Sequence, residues 1–466
     1  MIFSKIEFLY YFLPIVLLIY FITPMPGGST RFRNLALLLS SLLFYAWGEP
    51  VYVFVMVAQC VSAWLFGMLM DRHRGQSKAI MLASITVSLA GLLFFKYTDF
   101  FIQNMNRLTG GGIPLLRLTL PIGISFYTFQ IISYTVDIYR RNIEAQRDLF
   151  DFSTYVALFP QLMAGPIVRY ADIARELGRR THSLSQFSLG ARRFTIGLGK
   201  KVLLANLLGE LVRIYKQSGN KSILFTWLYL VAYSLHIYYD FSGYSDMAIG
   251  LGHILGFRFP ENFNYPFTAV SISDFWRRWH MSLSSWFRDY VYIPLGGNRV
   301  SAGRFAFNIL AVWTLTGFWH GADWNFMLWG FYFGAILLVE KHFLGGWLEK
   351  TNGFLKHIYV LLIIFFSWTI FDGQGLHGTI QVIGGMFRPG AGGAVGKEAL
   401  YYLRSYMAPL IVGIIGCTPL PKNLVGKLAG AKAMTVAEPM ALGLLLLLST
   451  AFIVDGSFNP FIYFRF

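Results

Sequence analysis

The sequence has few of the residues from which soluble enzymes build their common metal and redox sites. Only 2 of its 466 residues are cysteines, Cys60 and Cys417, and each lies in an apolar stretch. Neither belongs to a CxxC pair or a Cys/His cluster with zinc spacing, so we expect no disulfide framework and no structural zinc. The chain also lacks a GxSxG elbow, an HExxH motif and a Walker A loop. These absences argue against serine hydrolases, zinc proteases and nucleotide-driven enzymes.

Charged residues are also scarce, at 13%, whereas hydrophobic residues make up 55% of the chain. A mean hydropathy of +0.53 over this length is typical of an integral membrane protein. We therefore expect one all-α polytopic domain over residues 1–466, with a lipid bilayer around it. The net charge of +16 could indicate nucleic-acid binding, but the basic residues form short clusters between apolar runs. That pattern is typical of cytoplasmic loops, so we expect no nucleic-acid partner.

Apolar runs long enough to cross a bilayer recur along the chain, and the loops between them predict its orientation. Arg31 and Arg33 follow the first run, Arg72 and Arg74 follow the third, and the loop 48–50 on the other side carries no basic residue. Because cytoplasmic loops are enriched in Lys and Arg, the N-terminus is predicted outside the cytoplasm. The predicted runs are 8–22, 32–47, 51–70, 79–95, 115–138, 223–239, 324–340, 356–371, 399–416 and 440–454.

Two further segments interrupt this pattern. Residues 150–168 are apolar but contain Pro160 and Pro166, which favours a re-entrant segment over a full span. Residues 169–201 contain eight Lys or Arg. We favour a cytoplasmic surface that faces anionic lipid, and a dedicated phosphate-binding site stays open as the alternative.

The run that begins at 223 leads into polar residues, His236, Asp240, Ser242 and Asp246, within apolar surroundings. Ionisable side chains at membrane depth usually serve a function. They can equally form hydrogen bonds that hold neighbouring helices together. The sequence leaves these two interpretations of the carboxylates open.

The first of two histidine motifs is SISDFWRRWHMSLSSW, which contains His280. Drawn as one continuous helix at about 100° per residue, it has Trp276, Trp279 and His280 on an aromatic face. Arg277 and Ser282 fall on the opposite face. We expect the aromatic face to point into the protein and the arginines to face lipid headgroups or an anionic donor.

The second motif is TLTGFWHGADWNF, in which His320 ends the apolar run 305–319. At about 1.5 Å per residue this run covers about 22 Å of a hydrocarbon core about 30 Å thick, so a helix here would stop inside the bilayer. Glycines at a four-residue spacing allow helices to approach closely around it. These are Gly317, Gly321, Gly330 and Gly334.

A buried imidazole of this kind can take a proton from a hydroxyl near neutral pH. Burial among Phe318, Trp319 and Trp324 would keep His320 in the neutral, basic form. A lone buried histidine more often serves packing or hydrogen bonding. Two such histidines in neighbouring motifs favour general-base acyl transfer without a covalent enzyme intermediate.

At these motifs the chain resembles the membrane-bound O-acyltransferases, and in particular the bacterial branch that contains the alginate O-acetyltransferases. The resemblance extends nearly from end to end. It rests on LFPQLMAGPIVR (158–169), DFSGYSDMAIGLG (240–252), FRFPENFNYPF (257–267), FWRRWHMSLSSWFRDYVYIPLGGNR (275–299), GFWHGADWNF (317–326) and NPFIYFRF (459–466).

The resemblance implies about nine to twelve transmembrane helices with re-entrant segments around a central funnel. It implies that His320 is the catalytic base and that His280 is a second functional polar residue. The implied donor is a cytoplasmic acyl thioester such as acetyl-CoA, with no bound cofactor and no metal. The implied process is O-acetylation of a secreted polysaccharide such as alginate, at the cell inner membrane, with an extracytoplasmic SGNH-type acetyltransferase as partner.

We assign substrate contacts by hypothesis to Asp240, Ser242, Asp246, Trp276, Arg277, Trp279 and Asp323. Two alternatives use the same fold, namely peptidoglycan O-acetylation and D-alanyl transfer to teichoic acid. From a different class, a membrane transporter could use the buried carboxylates and histidines as an ion path. A transporter is expected to have an inverted repeat of broken helices, and the sequence contains no such repeat.

Overall fold

The protein is described here by a computed structural model that covers residues 2–163, 165–373, 375–428 and 430–455. Within these residues the regular structure is helical, and the only β-type pairing is an isolated bridge between Gly390 and Gly393. The all-α fold class is therefore confirmed. The closing motif at 459–466 lies outside the described residues.

The chain divides into two compact units, and the first consists of residues 1–194 and 245–261. A π-helical turn, Glu7–Phe12, precedes its first α-helix. Its helices are α1 (Leu13–Ile22), α2 (Arg31–Gly48), α3 (Tyr52–Arg72), α4 (Ser77–Thr109), α5 (Ile124–Tyr139), α6 (Leu149–Ala157), α7 (Phe159–Leu162), α8 (Tyr170–Gly178) and most of α9 (Leu184–Gly199).

Buried polar contacts fix the helices of this first unit. The Asn34 amide on α2 donates to the Asp151 carboxylate on α6 at 2.7 Å and to the backbone carbonyl of Leu177 on α8 at 2.8 Å. The Asp148 side chain caps α6 by accepting from the backbone amides of residues 150 and 151. Such a cap satisfies amides that have no partner within the helix.

The second unit consists of residues 195–244 and 262–466. It begins with the last residues of α9, which a π-helical turn, Lys200–Ala205, follows directly. Its helices are α10 (Asn206–Gln217), α11 (Ile223–Leu255, whose last part belongs to the first unit), α12 (Ile272–Arg278), α13 (Met281–Phe287), α14 (Ala302–His320), α15 (Trp324–Val339), α16 (Gly345–Lys350), α17 (Gly353–Phe371), α18 (Gly375–Phe387), α19 (Lys397–Ser405), α20 (Met407–Gly416), α21 (Leu420–Leu428) and α22 (Met434–Val454). That residues 1–466 act as one functional domain stays a prediction.

The close approach predicted from the glycine spacing is present between α14 and α15. A Cβ atom on Gly317 would lie 2.1 Å from the backbone oxygen of Phe326, and a Cβ on Gly330 would lie 2.1 Å from that of Trp313. Both contacts are with backbone, which cannot rotate away as a flexible side chain can. The glycines therefore let the two helices touch directly next to His320.

Five helical segments of the described residues are long and apolar enough to cross a membrane, and a bent pair adds a sixth if it forms one span. The pair, α19 and α20, bends by 61°. Shorter apolar helices such as Glu7–Ile22 accompany them. The five are Tyr52–Arg72, Arg74–Thr109, Trp324–Lys350, Gly353–Phe371 and Met434–Val454.

Several predicted boundaries need correction. The run 115–138 is not one helix, because the chain is irregular from residue 110 and α5 begins only after Gly123, whose φ is +77°. Glycine adopts this left-handed conformation readily and therefore marks the start of the helix. The run 79–95 is part of a longer helix that ends at Thr109, and the run 223–239 continues to Leu255.

The segment 150–168 is broken, as its prolines predict. α6 ends at Ala157, the short α7 has Pro160 in its first turn, and residues 166–169 are irregular. Proline lacks the amide hydrogen that a helix interior requires, which accounts for a break at this point. The break is confirmed, and the re-entrant path stays a prediction.

Candidate active site

The first histidine lies at a break between two helices. α12 ends at Arg278, Trp279 is extended, and His280 has φ +44° and ψ +53° before α13 starts at Met281. This left-handed conformation is unfavourable for a residue with a Cβ and persists only where surrounding contacts hold it. The prediction of one continuous helix through His280 is therefore wrong.

Hydrogen bonds from a preceding segment account for the break. The backbone amide of Met281 donates to the carbonyl of Asn262 at 3.0 Å, and the amide of Asn264 donates to the carbonyl of Arg278 at 2.9 Å. These bonds satisfy groups that a continuous helix would otherwise pair within itself. Periodicity along 271–290 cannot reveal them, because the partners lie outside that stretch.

The Asn262 side chain also fixes the tautomer of His280. Asn262 Oδ1 accepts from the Ser282 backbone amide at 3.3 Å and from the Ser282 hydroxyl at 2.9 Å, and it lies 3.0 Å from His280 Nδ1. Because a backbone amide can only donate, this atom is the amide oxygen, and His280 Nδ1 must carry the hydrogen. In the neutral imidazole the lone pair is then on Nε2, which is buried without a hydrogen-bond partner in the described residues.

His280 is enclosed by aromatic rings. Its ring centroid lies 4.7 Å from that of Phe241 on α11, in an edge-on arrangement, and 6.2 Å from that of Trp319. His280 lies outside the helices long and apolar enough to cross a membrane. Burial lowers the pKa of His280 well below its usual value, and the nearby His320 lowers it further. The imidazole is therefore neutral at physiological pH.

The second histidine is the last residue of α14 and is also buried. Its ring lies 5.0 Å from Trp319, 5.2 Å from Trp329 and 5.6 Å from Phe371, measured between centroids. The predicted helix end at His320 is confirmed. Trp324, which the sequence also predicts around this ring, is 54% exposed, whereas Trp329 is 2% exposed and forms the buried contact from α15.

The structure thus places both predicted histidines next to the same tryptophan, Trp319. Both rings pack against Trp319, which is itself buried. A buried pair of imidazoles in an aromatic surrounding excludes bulk water and can exchange protons with a bound hydroxyl. The predicted roles of His280 and His320 stay predictions.

Asp240 of α11 lies close in sequence to Phe241 and is fully buried. It forms an ion pair with Lys201, which is 2% exposed. The prediction of a lipid-facing surface over residues 169–201 is therefore wrong for Lys201. One turn earlier, His236 Nδ1 lies 2.7 Å from the backbone carbonyl of Ala205. Because these contacts tie α11 to the segment 200–205, they favour a structural part for Asp240.

Ser242 follows Phe241 and is 2% exposed. Its hydroxyl has no hydrogen-bond partner among the described residues. An unpaired buried hydroxyl is costly, and a ligand group that pairs with it would remove that cost. Ser242 therefore remains a candidate for a contact with the substrate.

The remaining candidates have different surroundings. Trp276 packs against Trp329 and other rings, and Trp279 stacks on Phe275 at 5.6 Å, so both belong to the aromatic core. Arg277 is exposed, as predicted. Asp323 caps α15 by accepting from the next backbone amide and lines a cavity of about 370 Å³.

Asp246 belongs to the first unit. Arg193 contacts it at 3.0 Å and also pairs with Glu261. The structure thus gives Asp246 a partly exposed ion network of its own, different from the buried pair of Asp240. The sequence treated the two carboxylates alike because both interrupt the same apolar helix.

Sequence reasoning missed two residues that position the site. Asn262 holds the break at His280, and Glu340 accepts from the backbone amides of Ile272 and Ser273 at 2.6 and 2.9 Å, where it caps α12. Asn262 lies within the motif FRFPENFNYPF, whose polar residues were the available signal. Glu340 is buried near the end of an apolar run, and such a carboxylate indicates a partner that sequence alone does not identify.

Comparison with known proteins gives a consistent result. The chain is 36% identical to the probable alginate O-acetylase AlgI of Azotobacter vinelandii, over an alignment of 504 positions that covers 100% of both proteins. It is 31% identical to the peptidoglycan O-acetyltransferase of Helicobacter pylori, over 100% of this chain and 98% of the relative. It is 28% identical to the teichoic acid D-alanyltransferase of Bacillus subtilis, over 67% of this chain and 82% of the relative.

The model of the MBOAT, membrane-bound O-acyltransferase family matches residues 43–379, which include both histidines and Asn262. Apolar helices along the chain agree with this match. The family match accounts for acyl transfer, and it leaves the transporter interpretation without support. The chain therefore belongs to the membrane-bound O-acyltransferase family, as a multi-pass membrane O-acyltransferase.

Proposed function

We propose that the protein transfers an acetyl group from a cytoplasmic thioester such as acetyl-CoA to a hydroxyl for O-acetylation of a secreted polysaccharide. The observation that carries this proposal is the pair of buried imidazoles around Trp319. The full-length similarity to an alginate O-acetylase supports alginate, or a polysaccharide like it, as the glycan that is modified.

In the proposed reaction His320 is the general base. It takes the proton of the acceptor hydroxyl while the hydroxyl oxygen attacks the thioester carbonyl carbon. The carbon–sulfur bond then breaks, and the leaving thiolate takes the proton back from the imidazolium. No covalent bond to the enzyme forms. His280, whose Nε2 lone pair is available, accepts a hydrogen bond from a second donor group of the acceptor and orients the acceptor for attack.

His280 could also be the base itself, because its tautomer is defined. The Nδ1 hydrogen bond to Asn262 resembles the arrangement by which a partner orients a catalytic imidazole. We nevertheless assign His320 as the base, because the motif GFWHG that contains it resembles the motif of the family's catalytic histidine. If His320 is the base, a variant of His320 loses proton transfer, and if His280 is the base, a variant of His280 loses it. Experiment can therefore distinguish the two assignments.

Partner and orientation complete the proposal. The acceptor hydroxyl belongs to an extracytoplasmic SGNH-type acetyltransferase or to the glycan, and the chain lies in the cell inner membrane with its N-terminus outside. The basic clusters at Arg31–Arg33 and Arg72–Arg74 support this orientation. A cysteine placed at Arg72 should not react with a membrane-impermeant thiol reagent added to intact cells. Rapid labelling at this position would contradict the predicted orientation.

The test of the proposed base is acetyl transfer by purified, detergent-solubilised variants, normalised to monodisperse protein. General-base catalysis contributes about 10²- to 10⁴-fold, so His320→Ala should lose that much turnover. His320→Gln should not restore it, because an amide cannot take up the proton. Wild-type activity per folded molecule in either variant would remove His320 from the mechanism. Offering a D-alanyl thioester to the wild-type chain in parallel distinguishes acetyl transfer from D-alanyl transfer.

A further inference from the structure

A basic cavity lies within the first unit, and its lining includes neither His280 nor His320. Its volume is about 710 Å³, and it lies where the end of α8 meets residues that follow α11. Four of its lining residues are arginines, and one, Glu176, is acidic. The four are Arg175, Arg179, Arg180 and Arg258.

Arg180 is fixed inside the protein, although it belongs to a basic segment that was expected at a surface. It is 6% exposed, and its guanidinium carbon lies 4.4 Å from the ring centroid of Phe257. Its Nε donates to the Tyr20 hydroxyl at 3.1 Å, and its Nη1 donates to the backbone carbonyl of Glu176 at 3.2 Å. The Tyr20 hydroxyl in turn donates to the carbonyl of Leu255 at 2.8 Å. The arginine is thus held in place by both elements that form the cavity.

Within the described part of the chain, the buried guanidinium of Arg180 has one nitrogen without a hydrogen-bond acceptor. Its Nη2 is buried and has no acceptor among the described residues. Arginine presents its donors as a planar fork that matches the oxygens of a phosphate. A buried, charged and incompletely paired guanidinium that lines a cavity is suited to bind an anion.

The other three arginines reinforce this charge. Arg175, Arg179 and Arg258 are exposed, and the ion pairs of the described part of the chain include none of them. With four arginines and one glutamate the lining carries a net charge of +3. Like charges repel one another unless an anion lies between them, so this arrangement favours a multiply charged ligand.

A smaller cavity adjoins the basic one. Its volume is about 260 Å³, and Gln186 lines both. Apolar side chains make up much of its wall, among them Phe21, Leu184, Phe187 and Ile254. A ligand that carries a phosphate next to a less polar part would fit such a pair of cavities.

We propose that this cavity is a binding site for a phosphate ester, held by Arg180 and by the exposed arginines around it. Basic-loop asymmetry predicts the segment on the cytoplasmic side. Two sources supply phosphate esters there, the headgroups of anionic phospholipids and a free ester such as coenzyme A. The lipid source is independent of the proposed acetyl transfer, whereas the coenzyme A source rests on it.

The experiment measures binding to the full-length protein in phosphatidylcholine nanodiscs. In one arm coenzyme A is titrated and its dissociation constant is measured. In the other, thermal stability is compared in nanodiscs with and without phosphatidylglycerol. A hydrogen bond to a charged group affects affinity by about tenfold or more, so Arg180→Gln should weaken coenzyme A binding at least about tenfold, or abolish the stabilisation by phosphatidylglycerol.

Because Arg180 is buried, its replacement could impair folding. The double variant Arg175→Gln with Arg258→Gln changes only exposed side chains and should show the same loss. Arg107→Gln, an exposed arginine at the end of α4 that does not line the cavity, is the matched control and should bind as the wild type does. His320→Ala should also bind normally, so failure of this site is distinguishable from failure of the proposed reaction.

Each arm of the experiment tests one of the two possible sources of the phosphate ester. Loss of coenzyme A binding in the cavity variants assigns a free phosphate ester, and loss of the phosphatidylglycerol effect assigns a lipid headgroup. Loss of both means that the site accepts either. If the cavity variants respond to both probes as the wild type and Arg107→Gln do, or if no probe affects the wild type, the proposal is overturned.

Discussion

His280 and His320 are both buried and both pack against Trp319, yet the protein holds them by different means. His280 lies at a helix break with a left-handed backbone, and Asn262 binds its Nδ1. His320 ends a regular helix and is surrounded by aromatic rings, including Trp329. Asn262 thus fixes the tautomer of His280 at a helix break, whereas His320 lies among aromatic rings at the end of a regular helix.

This difference shows which property of each residue the fold controls. A hydrogen bond to Nδ1 fixes the ring orientation and leaves the lone pair on Nε2, so His280 presents a constant acceptor. Ring packing restricts the position of His320, which takes up the proton of the bound hydroxyl in the proposed mechanism. The fixed lone pair of His280 therefore suits an orienting acceptor, and burial keeps an imidazole in the neutral form that can act as a base.

The largest expected effect comes from removing both imidazoles. His320→Ala should lower turnover by about 10²- to 10⁴-fold, and His280→Ala should lower it by a smaller factor. Because both act on the same bound acceptor in one step, the double variant should lose little more than His320→Ala alone. Turnover per monodisperse molecule is the measurement.

Two outcomes would contradict the roles assigned to the two histidines. Fully multiplicative losses in the double variant would mean that the histidines act in separate steps. A larger loss from His280→Ala than from His320→Ala would reverse the roles and make His280, with its fixed tautomer, the base.

The second prediction concerns the link between Asn262 and His280. Asn262→Asp keeps an acceptor oxygen but adds a negative charge beside the ring, which should raise the pKa of His280 because the charge stabilises the imidazolium. Burial holds that pKa low in the wild type, so the neutral ring persists at acidic pH. With a raised pKa the ring becomes charged as the pH falls, and activity should decline at higher pH than in the wild type.

The measurement is the pH profile of acetyl transfer between about pH 5 and 8, where an imidazole changes charge. Ser282→Ala is the matched control, because it removes one donor to Asn262 without changing charge. Its profile should keep the wild-type shape. An Asn262→Asp profile that is lower at every pH but unshifted would show that Asn262 only stabilises the fold.

The sequence predicted the local features of this region well. The end of α14 at His320 and the close glycine contacts of α14 with α15 depend on periodicity and residue size, which a sequence displays directly. The break at His280 depends on hydrogen bonds from Asn262, 18 positions away. A helical wheel contains no information about such a partner, so the continuous helix was the expected and incorrect result.

The basic segment 169–201 illustrates the same limit. Its composition fits a surface that faces lipid, and most of its arginines are indeed exposed or partly exposed. Lys201 is buried because Asp240 neutralises it, and Arg180 is buried because Tyr20 and Phe257 enclose it. Burial of a charge is decided by its tertiary partner, which charge patterning does not reveal.

The third prediction separates packing around His320 from its chemistry. Gly330→Ala would place a methyl group 2.1 Å from the backbone oxygen of Trp313. Such overpacking costs about 1 to 3 kcal/mol, so the melting temperature should fall while the remaining folded protein stays active. Gly346→Ala is the control, because a Cβ there meets nothing within 4 Å, and it should be neutral or stabilising. Equal melting temperatures for the two variants would contradict the close crossing of α14 and α15.

The smallest effect is expected at Ser242, on the helix that contributes Phe241 to the surroundings of His280. If the Ser242 hydroxyl binds the acceptor, Ser242→Ala removes one neutral hydrogen bond of about 0.5 to 1.5 kcal/mol and should raise KM for the acceptor by up to about tenfold. The amount of folded protein should not fall, because the hydroxyl has no partner among the described residues. Ser234→Ala is the matched control: Ser234 is buried on the same helix, but its hydroxyl donates to the carbonyl of Leu230 at 2.7 Å. An unchanged KM in Ser242→Ala, or the same change in both variants, would leave His280 and His320 as the polar contacts of the acceptor and remove Ser242 from the site.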